Sequence, residues 1–203
     1  NQQICRVDRE AHMADYSPDL GVLGDLLMPK IKAADAVIIS DYGKGFVTNE
    51  LLEIVSDHAR FVAIDPKPSR LLKYSSPDLL TPNQFEALEL AGLSKETRSP
   101  FQQIEVVDRI FERFAPKMLA ITLGSKGMLL AKDGKITSTI PTAAREVFDV
   151  SGAGDTVIAS LTMALVSGES FEHSAEFANL AAGVVVGKVG TATASPYEIL
   201  NHL

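Results

Sequence analysis

Short apolar runs bounded by turn formers alternate along this chain with stretches whose apolar residues recur every three or four positions. Ala36-Val37-Ile38-Ile39-Ser40, Phe61-Val62-Ala63-Ile64-Asp65 and Leu79-Leu80-Thr81 read as buried strands, the last two halted by Pro66 and Pro82. Met118–Thr122 is a further strand, and residues 127–131 with Lys135–Ile140 read as a hairpin around Lys132-Asp133-Gly134. A helix is predicted from a cap at Thr48 to about His58, and another over residues 84–91 with Gly92 as its stop. Ser99-Pro100-Phe101-Gln102 reads as the next helix start, with Ile104, Val107, Phe111 and Phe114 expected to share its buried face. Helices over residues 154–167 and Phe171–Val186 close the chain.

Strands alternating with helices predict an α/β fold, a mostly parallel sheet flanked by helices in three layers. The late hairpin adds antiparallel strands at one edge. In such sheets ligands bind beyond the carboxyl ends of the strands, so residues just after strands carry the most information.

Composition narrows the function classes. The 203 residues are 46% hydrophobic and 22% charged, which is ordinary for a globular domain. The formal charge is −7, without a long basic run, so neither nucleic acid nor an anionic membrane is an expected partner. Cys5 is the only cysteine, which excludes an internal disulfide and fits a reducing, cytoplasmic setting. His12, His58, His173 and His202 are scattered without metal-ligand spacing. The opening residues carry neither an initiator Met nor a signal-peptide pattern, and the chain is expected to be a piece of a longer protein.

The strongest chemical signal is Asp149-Val150-Ser151-Gly152-Ala153-Gly154-Asp155-Thr156, leading into an amphipathic helix. Small residues at a helix start let backbone N–H groups cradle an anion, aided by the helix dipole. The spacing matches neither a Walker loop nor a dinucleotide fingerprint, since Val157 stands at the third glycine position. A carboxylate beside an anion cradle repels a resting phosphate, but it makes sense if a hydroxyl must lose its proton as it attacks phosphorus. Asp155 is then the base, and the N–H groups of Gly152, Ala153 and Gly154 hold the moving phosphoryl oxygens. A plain tight turn with Asp155 favouring the helix N-terminus is the competing reading.

Three further segments each leave two readings open. Asn83 and Glu86, three apart at a helix start, either serve a phosphate and a hydrated Mg²⁺ or simply cap the helix. Thr122-Leu123-Gly124-Ser125-Lys126-Gly127 suits close approach of a nucleotide, or is an ordinary hairpin entrance. Asp41-Tyr42-Gly43-Lys44-Gly45 and Asp65-Pro66-Lys67-Pro68 each bring a lysine to the ligand edge. Lys44 and Lys67 either meet a phosphorylated substrate or are solvated loop lysines.

Taken together, these segments resemble the ribokinase-like (PfkB) carbohydrate kinases over residues 36–200. The resemblance implies a ribokinase-like three-layer sandwich, ATP and Mg²⁺ as cofactors, and a sugar phosphate as substrate. By it, Asp155 is the general base, with Gly152, Ala153 and Gly154 as the anion hole. Asn83 and Glu86 look like the Asn-x-x-Glu motif, Thr122, Gly124, Ser125 and Gly127 like nucleotide contacts, and Asn179 like the residue against adenine. Asp149 and Ser151, with backbone near Gly190, fall where many members bind a monovalent cation such as K⁺. Within the family, residues 1–10, 41–45, 65–67 and 187–193 most resemble the D-glycero-β-D-manno-heptose 7-phosphate kinases, which phosphorylate the C1 hydroxyl. That likeness implies a homodimer and a fused C-terminal adenylyltransferase in the full-length form. It also implies that the first strands of the sheet and most of a substrate lid are missing here. Residues 1–15 are then the remnant of a lid strand, and residues 16–203 the nucleotide-binding and catalytic part. Another sugar kinase of the family, acting on ribose or a fructose phosphate, and an inactive nucleotide-binding fragment are the alternatives.

Overall fold

The computed structural model describes residues 12–68, 72–93, 101–145 and 147–202. The expected lid strand over residues 1–10 and the helix start at Ser99 and Pro100 lie outside those residues. Six strands form one sheet in sequence order: β1 (Val37–Ser40), β2 (Val62–Asp65), β3 (Leu79–Leu80), β4 (Met118–Thr122), β5 (Met128–Lys132) and β6 (Lys135–Ile140). β1 to β4 run parallel, and β5 and β6 are antiparallel additions. The β5–β6 turn has Asp133 at φ 52° and Gly134 at φ 76°, the left-handed pair that matches the twist of a two-residue hairpin.

Alternation along the strands divides the core into two layers. Val62, Ile64, Leu80, Leu119, Ile121 and Leu129 face one side of the sheet, where α2 (Asn49–His58), α3 (Gln84–Leu90) and α4 (Gln103–Phe114) pack. Ala63, Leu79, Ala120, Met128 and Leu130 face the other, against α5 (Ala153–Val166) and α6 (Phe171–Val186). The period of two therefore sorts these strands between two helical layers, the three-layer arrangement expected.

Two helices have no counterpart in the pattern reading. The first, α1 (Leu20–Ala33), contains Gly21, Gly24 and Pro29, residues that weaken helix propensity, and among its residues only Ile31 is fully buried. It forms because Asp19 caps it, accepting from the Gly21 N–H at 2.9 Å, and because Leu20, Leu27 and Ile31 rest on the core. The last, α7 (Pro196–His202), docks Ile199 on Ala181 and Val184 of α6.

The face of α4 also differs from expectation. Ile104 is 71% exposed, and the buried stripe is Val106, Val107, Ile110 and Phe114, with Phe111 packed at its margin. Both sets satisfy helical spacing, and docking against α3 and the sheet selects the second. The helix begins after Gln102, which makes no side-chain cap.

Candidate active site

The carboxyl ends of β1, β2 and β3 and the start of α5 meet at one edge of the sheet. Gly152, at φ +79°, turns the chain into α5, whose first intrahelical bond runs from the Thr156 N–H to the Gly152 carbonyl at 3.0 Å. The N–H groups of residues 153–155 thus belong to the open first turn, the electropositive end of a 14-residue helix. The Ala153 N–H reaches back to the Val150 carbonyl at a long 3.3 Å, so an anion competes there with a weak bond.

Asp155 is exposed on this turn, and its carboxylate already holds two hydroxyls. Tyr42 Oη donates to Oδ1 at 2.9 Å and lies 3.1 Å from Oδ2, and Ser40 Oγ donates to Oδ1 at 3.3 Å. Tyr42 and Ser40 come from the end of β1. Beside them Asp41 is buried, accepting from the Gly43 N–H at 2.8 Å and from Tyr74 Oη at 2.9 Å. Tyr74 Oη in turn accepts from the Lys67 N–H at 3.2 Å, so one buried phenol ties the loop after β1 to the loop after β2.

Asp65, at the end of β2, faces Gly154: a Cβ added there would lie 3.9 Å from its Oδ2. Burial pushes the Asp65 carboxyl up to about 7, with the nearby Glu86, Asp155 and Asp41 carboxylates adding to it and Lys67 opposing. Because that value lies above the ordinary 3.8, the folded protein holds the proton more tightly than the unfolded chain between the two. Stability therefore falls as pH rises through this window. The melting temperature of the native protein should drop relative to Asp65→Asn between pH 5 and 8, by on the order of 5 °C. Parallel melting curves for the two proteins across that range check it.

Asn83 and Glu86 form a complete capping box on α3. Asn83 Oδ1 accepts from the Phe85 and Glu86 N–H groups at 2.9 and 3.0 Å, while Glu86 Oε2 accepts from the Asn83 N–H at 2.9 Å. Glu86 Oε1 keeps a further role, pairing with Lys67 Nζ at 3.1 Å. Lys67 is thus placed against Glu86, and Lys44 is exposed between Gly43 and Gly45. Among the described residues no three His, Cys, Asp or Glu side chains converge to ligate a metal directly. The surplus of carboxylates around Asp65 nevertheless suits a cation that arrives on polyphosphate and keeps its own waters, as Mg²⁺ does.

A cavity of about 410 Å³ opens on the other side of the α5 first turn. Ala153 and Gly154 line it together with Thr122, Gly124, Ser125, Gly127 and Asn179. Its remaining wall is mostly apolar, with Met128, Val147, Val157 and Val186, a setting for a flat heterocycle. Asn179 donates to the Pro141 carbonyl at 2.7 Å, which holds the amide at the rim. Asn83 does not line the cavity but pairs with Thr122 across a parallel bridge, joining the capping box to the cavity floor. Asp149 accepts from the Ser151 N–H at 2.9 Å. The Ser151 hydroxyl and N–H, with the Gly190 N–H, hold its carboxyl below the ordinary carboxylate range.

The pattern reading missed Ser40, Tyr42, Asp41, Asp65 and Tyr74 as site residues. Four of these lie in or beside the strand-end segments that carry Lys44 and Lys67. Tyr74 has no such flag, since its role depends on a fold-back onto Asp41, 33 positions earlier.

Comparison with known proteins points the same way. The family described as "pfkB family carbohydrate kinase" matches residues 9–198. A protein of Sulfurimonas denitrificans named "Bifunctional protein HldE" is 41% identical over 98% of this chain, and one of the same name from Geobacter sulfurreducens is 42% identical over 100% of it. The chain spans 42% of the length of each of these curated relatives. Among solved structures, Arabidopsis thaliana ribokinase complexed with ribose and ATP superposes with a TM-score of 0.74 at 25% identity, over 88% of this chain and 58% of that one. A mutant form of Escherichia coli phosphofructokinase-2 shares the fold at a TM-score of 0.75 and 17% identity, covering 90% of this chain and 60% of the other. The fold is thus that of the ribokinase-like kinases. No described helix is long and apolar enough to cross a membrane.

Proposed function

The chain belongs to the pfkB family of carbohydrate kinases, and from that premise we propose that it forms the catalytic part of an ATP-dependent sugar-phosphate kinase. The substrate is D-glycero-β-D-manno-heptose 7-phosphate, phosphorylated on its C1 hydroxyl. The observation that carries the reading is the Asp155 carboxylate, which sits on an open helix turn, holds alcohol protons, and adjoins a nucleotide-sized cavity. The relatives named as bifunctional proteins support a fused second activity in the full-length protein, and the sequence resemblance implies the heptose substrate and an adenylyltransferase.

Asp155 takes the proton of the sugar hydroxyl as its oxygen bonds to the γ-phosphorus and the bond to the bridging oxygen of ADP breaks. The N–H groups of Gly152, Ala153 and Gly154, at the turn into α5, meet the equatorial oxygens. Thr122, Gly124, Ser125, Gly127 and Asn179 hold the nucleoside, with Asn83 supporting a phosphate oxygen from beside Thr122. Lys44 and Lys67 meet the phosphate already on the sugar, Lys67 exchanging its pairing with Glu86 for it. Glu86 would hold the waters of a Mg²⁺ ion, which would supply neutralisation of the charge developing on the phosphates. Asp149, kept ionised by hydrogen bonds from Ser151 and the Gly190 backbone, suits K⁺ together with Ser151. The full-length protein acts as a homodimer in the cytoplasm.

The test is ADP release by the product of the complete reading frame, with heptose 7-phosphate, fructose 1-phosphate and ribose compared. Heptose 7-phosphate should exceed the others in kcat/KM by about 10² or more, since unmatched polar groups in a fitted pocket are costly. A lead for ribose or fructose 1-phosphate would refute the substrate assignment. ATP binding without turnover on any sugar would refute catalysis.

A further inference from the structure

The contact between Tyr42 and Asp155 has the chemistry of the acceptor. The Tyr42 phenol shares an O–H donor with an alcohol, and it donates to the carboxylate that would receive the sugar's proton, at 2.9 Å from Oδ1 and 3.1 Å from Oδ2. The residue is 60% exposed, so swinging its ring aside uncovers little apolar surface. The backbone beneath it is held firmly, because buried Asp41 is fastened by the Gly43 N–H and by Tyr74 Oη. A fixed loop thus carries a movable hydroxyl on the base. Asp155 draws the Tyr42 hydroxyl above its ordinary pKa, which keeps the phenol protonated and poor as a nucleophile.

We propose that Tyr42 guards the base, an acceptor surrogate that occupies Asp155 until the sugar hydroxyl displaces it. The assignment rests on the kinase reading above. Its consequence concerns water. With ATP bound and no sugar, a water molecule beside Asp155 could bond through its oxygen to the γ-phosphorus. The bond from that phosphorus to the bridging oxygen would break, ADP would leave with the electron pair, and Asp155 would take the water's proton. A phenol seated on the carboxylate denies water that place, and the sugar, delivered by its own binding energy, can still take it.

The experiment is Tyr42→Phe in the complete protein, which removes the hydroxyl and keeps the ring, with ADP release followed in the absence of sugar. Sugar-independent hydrolysis should rise about tenfold, a fraction of the worth of a general base. Adding Asp155→Asn to the same protein should return it to the native baseline. A rise below about threefold, or one that survives Asp155→Asn, overturns the surrogate role. A circular-dichroism melt of each variant certifies that folded protein is compared. The kinase reading is judged separately, by sugar phosphorylation in the native protein and in Asp155→Asn. If that variant loses transfer while Tyr42→Phe hydrolyses no faster, the surrogate fails and the kinase stands. If it keeps transfer, Asp155 is not the base and the surrogate role falls with it, while the transfer itself upholds the kinase.

Discussion

Asp155→Asn lowers kcat of sugar phosphorylation by roughly 10²–10⁴ while ATP affinity changes by no more than about threefold. The amide is nearly the same size as the carboxylate and can still accept from Tyr42 and Ser40, so the local geometry survives. What disappears is the basicity that takes up the proton as phosphorus bonds to oxygen. In the proposed reaction ATP binds the cavity lined by Ala153 and Gly154 and not by Asp155, so its binding should persist. Steady-state kinetics at saturating sugar, paired with nucleotide titration, give the two numbers. Near-native turnover would remove Asp155 from the chemistry.

The second large effect belongs to Gly127→Ala. Gly127 adopts φ +89° and ψ −129°, a region closed to side-chain-bearing residues. A Cβ there would fall onto the Ile140 carbonyl oxygen and lie 2.7 Å from the backbone of Pro141 and Thr142. Those are main-chain atoms at the end of β6 and cannot turn aside as a side chain could. Strained backbone and forced separation together should cost about 3–5 kcal/mol, or roughly 10 °C in melting temperature. Gly127 and Thr142 both line the cavity, so the KM for ATP should rise in whatever protein remains folded. Gly124→Ala is the control. Its φ is +59° but no atom lies within 4 Å of the added Cβ, so it should cost only about 1 kcal/mol. Equal melting temperatures for the two variants would show that crowding at β6 is not what requires glycine.

The contrast between these glycines shows where local reading stops. Both follow a strand in a turn, and both look suited to a nucleotide. The return of β6, added to a backbone conformation that itself favours glycine, makes Gly127 intolerant of a single methyl group. Likewise Ile104 and Ile110 are equally good candidates for the buried face of α4 by spacing, and the packing partner chooses Ile110. Helix α1 is hidden by Gly21, Gly24 and Pro29, whose unfavourable propensities are overridden by docking of Leu20, Leu27 and Ile31.

Strand and helix alternation, the positions of the hairpin and of α2, α3, α5 and α6, and the carboxylate at the opening turn of α5 are all legible in the amino-acid order. These are short-range properties: side-chain period, capping, and the backbone freedom of glycine act within a few residues. From them alone it follows that the informative residues gather at one edge of a parallel sheet. The partners of those residues required the tertiary structure. Tyr42 and Ser40 reach Asp155 across 113 and 115 positions of chain, and Asp65 is pushed up to about 7 by burial beside carboxylates from α3, α5 and the loop after β1. Hydrogen bonds and charge interactions depend on distance through space, and only the order of strands in the sheet brings such remote positions together.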